Sequence, residues 1–220
     1  RAGEQGAARL VAGWSGHAFI DDAGYRLVRE FERRLTTRAF RAIAAPAIDR
    51  WPDYPWFAPE RFTEVAWRLV ATRPPNLLDP RFEDWDAWLA DVARRTVRDL
   101  PDACASVDDC TWGRVNVASI RHPISEALPA LSRFLDMPAE PLPGDWWVPR
   151  VQTRGFGASE RFGVSPGREA EGYFHMPGGA SGHPLSPFYR AAHEDWARGR
   201  PSPFLPGAPR HVLTLAPAGA

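Results

Sequence analysis

Through the first hundred residues the apolar positions recur with a helical period. In the opening stretch Ala7, Leu10, Val11 and Trp14 share a face that Gly13 interrupts and Ser15-Gly16 ends. Asp21 or Asp22 is placed to cap a second helix, where Val28, Phe31, Leu35, Ala39 and Ala42 form one side and arginine and glutamate the other. Pro46 is expected to stop or kink that helix. A third helix is predicted from Pro59, with Phe62, Val65, Ala66, Leu69 and Val70 inward and an end before Pro74-Pro75. A fourth is predicted over 82–100, with the stripe Trp85, Trp88, Leu89, Val92 and Thr96, and Pro101 directly after it. Between the second and third helices, Pro52 and Pro55 forbid regular structure over 51–58. The aromatic residues of that loop predict burial against another surface.

From Trp112 the period changes. Val115, Val117 and Ile120 are β-branched and interspersed with polar residues, and a short helix is predicted around 125–135. Residues 146–153, 156–164, 170–176 and 211–215 read as strands, punctuated by Pro143-Gly144, Gly155, Pro166-Gly167 and Pro206-Gly207. Helices first and strands later is an α+β pattern: a mainly helical region over 1–105 and a strand-rich region over 106–220 of the same domain. Residues 177–189, with three glycines and three prolines, are predicted to form an ordered irregular loop anchored by Leu185, Phe188 and Tyr189. A helix from Tyr189 through Trp196 follows, closed by Gly199 with Pro201 beyond.

Composition narrows the function classes. At 220 residues and 44% hydrophobic the chain can bury a substantial core. Its 27 basic residues, all arginine, are balanced by 27 acids, so charge favours neither nucleic acid nor an anionic membrane. That balance also argues against single-stranded nucleic acid at Arg150 to Arg154 beside Trp146-Trp147. No apolar run approaches the roughly 18 residues of a membrane span. Ser181 and His183 suggest a hydrolytic pair, but Gly-Ala-Ser-Gly is not a nucleophile elbow, and the loop hydroxyls are expected to satisfy backbone groups. The six histidines, at 17, 122, 175, 183, 193 and 211, form no metal-ligand pair, and His193-Glu194-Asp195 reads as a solvated helix face. Asp21-Asp22 and Asp108-Asp109 lack the spacing of a calcium loop. No catalytic, substrate-binding or metal residue is therefore assigned.

Gly178-Gly179-x-Ser181-Gly182-x-Pro184-x-Ser186-Pro187-x-Tyr189, followed by Trp196-x-x-Gly199, resembles the C-terminal signature of the penicillin acylase (penicillin amidase) family of N-terminal-nucleophile amidohydrolases. Leu10-x3-Trp14-x-Gly16, Trp112-Gly113 with His122-Pro123, and Gly157-Ala158-Ser159-x-Arg161 fit it in the same order. Ala180 stands where members commonly carry Gln, and Arg190-Ala191-Ala192 where an Asp is common.

The resemblance implies the C-terminal part of the β-subunit, within an αββα core. It implies a serine nucleophile activated by its own α-amino group, an oxyanion held by backbone amides and an asparagine, and calcium held, where present, by residues upstream. The implied partners are the upstream part of the β-subunit, the α-subunit and a small N-acyl substrate. An N-terminal nucleophile must be Ser, Thr or Cys, and the first residue here is Arg1, so the chain is expected to be an internal or processed piece. No signal-peptide pattern is present, and a periplasmic or secreted location is implied by the family alone. In such a compartment Cys104 and Cys110, six apart, are expected to be joined. The competing reading is a free-standing, non-catalytic α+β binding module. Acyl-group specificity is not legible.

Overall fold

The computed structural model describes residues 2–100 and 104–217. Arg1 and Pro101, on which two sequence expectations rest, lie outside them. The chain divides into two compact units, residues 1–117 with 141–145 and residues 118–140 with 146–220.

The first unit is helical: α1 (Ala2–Ala12), α2 (Ala23–Arg50), α3 (Phe62–Thr72) and α4 (Trp85–Asp99). Of the two candidate caps Asp22 is the one used. Its carboxylate accepts the Tyr25 N–H at 2.7 Å and satisfies one of the four amides a helix start leaves open. Pro46 does not stop α2, which continues to Arg50, where the Trp51 N–H donates to Ala47 at 2.9 Å. One proline removes a single ladder bond, at a cost of about 3 kcal/mol in a helix interior. The bonds beyond it re-form.

Leu35 and Ala39 of α2, Ala66 and Leu69 of α3, and Trp85, Trp88 and Val92 of α4 close one core. Val65, expected inward, is exposed, because Ala66 and Leu69 already fill the face α3 turns to α2. α4 begins three residues later than predicted because Asp84 caps it, accepting the Ala87 N–H at 2.7 Å. On the rim, Arg38 donates to Asp91 and Arg34 to Asp99, each at 2.8 Å. Burial pushes the Asp91 carboxyl up, but hydrogen bonds from Arg38 and Arg95 hold it below the usual carboxylate range. In the 51–58 loop, Trp51, Tyr54 and Phe57 are exposed, so the described residues do not supply the covering surface the sequence predicts.

A second core joins Ala7, Leu27, Leu100 and Cys110. Cys110 is fully buried and bonded to Cys104. Closing so short a loop stabilises by about 2 kcal/mol in the chain-entropy account. Thiol reduction, or Cys104→Ser with Cys110→Ala, is expected to lower unfolding stability by that amount. Two free thiols in exported protein, counted by non-reducing mass spectrometry, would contradict the pairing.

The second unit contains short helices α5 (Pro123–Ala127), α6 (Ser132–Leu135) and α7 (His193–Arg198), with one antiparallel hairpin. The hairpin pairs β3 (Arg161–Gly163) with β4 (Tyr173–His175) in the register Arg161↔His175, Phe162↔Phe174 and Gly163↔Tyr173. Two-residue strands β1 (Val117–Ala118) and β2 (Glu140–Pro141) lie where the chain passes between units. The composition is thus mixed helix and short antiparallel strand, compatible with α+β.

The four predicted strand runs are much reduced. Residues 146–150 form turns, and 152 and 157 meet in a single bridge. Residues 211–215 have no regular structure, with Val212, Leu213 and Leu215 at 81%, 83% and 86% exposure. β-propensity alone makes no strand, since a ladder needs a second backbone to accept its bonds.

Candidate functional site

The loop at 177–189 is held from both sides by the second unit. β4 delivers the chain into it, and the buried His175 ring, through Nε2, meets the Arg200 carbonyl at 2.5 Å. Across its neck, the Ala192 N–H donates to Gly178 at 3.0 Å and the Ser181 N–H to Phe188 at 3.4 Å. His193 is buried, not solvated: its Nδ1 donates to the Pro177 carbonyl at 2.7 Å, and its ring packs on Trp196. A face of charged neighbours in the sequence concealed a histidine that ties loop to helix.

Of the three predicted anchors only Tyr189 is buried. Its hydroxyl donates to the Leu135 carbonyl at 2.5 Å. Leu185 and Phe188 are 77% and 64% exposed. The neck is tight because Gly179 lies against its opposite arm. A Cβ there would fall 2.0 Å from the Phe188 carbonyl oxygen and 2.9 Å from that of Tyr189.

α7 is fixed just beyond. Arg150 donates to the Ala197 carbonyl at 2.6 Å and Arg161 to that of Trp196, capping the helix C-terminus with two cations, as its dipole favours. Burial, together with the guanidiniums of Arg161 and Arg198, lowers the Arg150 pKa to about 10. The Trp196 indole donates to the Ala158 carbonyl at 3.1 Å and lies over Gly157, where a Cβ would meet Cζ2 at 2.2 Å. Arg190 donates to the Arg133 carbonyl at 3.1 Å and to that of Asp136, tying the loop to the end of α6.

These bonds decide what the loop hydroxyls and imidazole do. The Ser181 Oγ accepts the His183 backbone N–H at 3.1 Å, and the His183 Nδ1 accepts the Leu185 N–H at 3.2 Å. Ser186 Oγ likewise accepts the Phe188 N–H at 3.2 Å. Each polar side chain closes a local turn. The Ser181 hydroxyl is thus directed at backbone, not at the His183 ring.

Three of the four aspartates considered for calcium have partners of their own. Asp22 caps α2 and accepts from Ser15, Asp108 pairs with Arg9, and Asp109 accepts from Ser106. Among the described residues no three His, Cys, Asp or Glu side chains are grouped to hold a metal ion. Nor is any helix among the described residues long and apolar enough to cross a membrane.

A statistical model of the penicillin amidase family matches residues 1–208. The chain belongs to the penicillin amidase family. A comparison with curated proteins finds no match. Within the family match, the motifs have structural reasons. Gly179 lets the loop neck close, Gly157 makes room for Trp196, Arg161 caps α7, and Trp112 donates its indole N–H to Gly144 at 2.8 Å within the first unit.

Proposed function

We propose that this chain is the C-terminal scaffold segment of a penicillin-acylase-type amidohydrolase, which hydrolyses the amide bond of small N-acyl compounds. The family match over residues 1–208 carries the amidase reading. The scaffold role is supported by the loop at 177–189, where Ser181, His183 and Ser186 all satisfy backbone.

The nucleophile of this reading is a serine outside these 220 residues. Its hydroxyl proton passes to its own α-amino group as oxygen attacks the amide carbonyl, and backbone amides with an asparagine hold the oxyanion. The protonated amine then delivers that proton to the departing nitrogen. Water finally cleaves the acyl ester. The present residues hold the framework. Exposed Trp51, Tyr54 and Phe57, with the unpaired aliphatic segment 211–215, supply surfaces for the remaining β-subunit and the α-subunit. A periplasmic or secreted location belongs to the same proposal, and the Cys104–Cys110 bond is compatible with it.

The test is reconstitution. Co-expressed with the upstream polypeptide, the chain is expected to form a soluble complex that releases amine from chromogenic N-acyl anilides. Alone, it is expected to release none. Turnover by the chain alone, abolished by Ser181→Ala, would replace the scaffold role with a local active site. A monodisperse monomer that ignores the upstream polypeptide would favour a free-standing module.

A further inference from the structure

The two ring nitrogens of the buried His193 have unequal partners. Nδ1 faces the Pro177 carbonyl at 2.7 Å, and a carbonyl can only accept, so Nδ1 carries a proton. In the neutral ring Nε2 is then a bare lone pair. That lone pair is turned to the Glu140 Oε1 at 3.6 Å and has no hydrogen-bond partner among the described residues. Nitrogen and carboxylate oxygen thus confront each other as two acceptors. A proton from solvent placed on Nε2 converts the confrontation into a charge-assisted hydrogen bond.

The charges around the ring all belong to the second unit. From β2 comes Glu140, whose other oxygen accepts from Arg198 at 2.5 Å. From α7 come Arg198 itself and Glu194, which pairs with Arg198 at 3.3 Å and with Arg200 at 3.5 Å. Arg150 also senses the Glu140 charge. These arginines oppose a further cation, but Arg198 has two carboxylates and Arg150 the Ala197 carbonyl. Oε1 of Glu140 is the oxygen directed at the imidazole. The Trp196 ring, 5.8 Å away, adds an aromatic face that favours a cation.

We propose that His193 is a proton-operated clamp on the loop at 177–189. Neutral, the ring holds the loop through Pro177 and leaves Glu140 unmet. Protonated, it holds Pro177 through Nδ1–H and Glu140 through Nε2–H, binding the loop, α7 and β2 together. The closed neck supplies both acceptors and an opened one neither, so the closed state is favoured as pH falls. Amide hydrogen exchange of the full chain, corrected for the intrinsic effect of pH on exchange, reads the neck at the Ala192 and Ser181 N–H groups, which bond Gly178 and Phe188. Their protection is expected to rise roughly tenfold from pH 8 to pH 5.5, the gain of one hydrogen bond to a charged group. The Trp88 N–H, bonded to Asp84 in the first unit, is not expected to follow. Glu140→Gln offers the neutral ring a donor and the charged ring an acceptor, and is expected to flatten the rise. His193→Asn, which keeps a donor toward Pro177 and takes up no proton, is expected to do the same. Arg198→Gln is expected to preserve the rise. If His193→Asn does not fold, Glu140→Gln decides, since it changes neither the size nor the shape of the side chain. Flat or falling protection in the wild type, a rise that survives Glu140→Gln, or one lost in Arg198→Gln overturns the proposal.

Discussion

Gly179→Ala is expected to cost about 3 kcal/mol of unfolding stability, the upper range of overpacking substitutions. The added carbon would sit 2.0 Å from the Phe188 carbonyl oxygen and 3.0 Å from the Ala191 nitrogen. Both are backbone atoms, which cannot turn aside as a side-chain tip can. Relief therefore means separating the two arms of the loop. That movement would break the bonds from Ala192 to Gly178 and from Ser181 to Phe188, and would draw Tyr189 away from Leu135. Neighbouring glycines provide the controls. A Cβ on Gly178 makes ordinary contacts at 3.7 Å, and one on Gly182 meets open space. Alanine at either is expected to change stability by less than about 1 kcal/mol. Urea midpoints for the three variants check the order. If Gly179→Ala unfolds with the other two, the neck is not closed as described.

The helical half was largely legible because its signal is local. A 3.6-residue period reports which face is buried whatever that face meets, and so Leu35, Ala39, Trp88 and Val92 read correctly. Of the two outcomes Pro46 allows, a stop or a kink, the stop does not occur, because a proline removes one ladder bond while α2 runs on to Arg50. Val65 misled because a broad apolar stripe does not say which of its members a small neighbour leaves outside.

Strand signals are weaker because they name one participant of a pair. His211 to Leu215 has the composition of a strand and no ladder partner among the described residues. Residues 146–150 have it too, but Pro149 and the turns around it prevent the pairing. Around the loop, glycine and proline correctly marked irregular structure, and the prediction that serines would satisfy backbone held at Ser181 and Ser186. The burial of His193 was hidden. It depends on the Pro177 carbonyl, sixteen residues away, which no local pattern records.

Asp145→Ala is expected to destabilise the first unit by about 3–5 kcal/mol, the usual cost of removing one member of a buried charged pair. The Asp145 carboxylate is buried and accepts from both the Tyr25 hydroxyl and the Arg29 Nε, each at 2.6 Å. Without it, Arg29 keeps Glu32 as its ion-pair partner among the described residues, at 2.7 Å, and the phenol loses its acceptor. Asp145→Asn retains an acceptor oxygen without the charge and is expected to fall between wild type and alanine. The same cluster sets an alkaline limit. Burial, followed by the hydrogen bond to Asp145 and its negative charge, raises the Tyr25 pKa well above its ordinary value. The unfolded chain releases the Tyr25 proton near pH 10 while the native state keeps it. Its contribution is therefore complete below about pH 10 and declines as pH rises beyond it toward the raised native value. Tyr25→Phe is expected to lower stability by about 1 kcal/mol at neutral pH and to remove this tyrosine's share of the alkaline decline. The comparison is the difference between wild type and Tyr25→Phe at each pH, which cancels the contribution of every other group that titrates in this range. A difference that stays constant from pH 8 to pH 11 would show that the native state does not hold that proton. A loss below about 1 kcal/mol for Asp145→Ala, the scale of a solvent-exposed pair, would show that Asp145 is no buried partner of Arg29 and Tyr25.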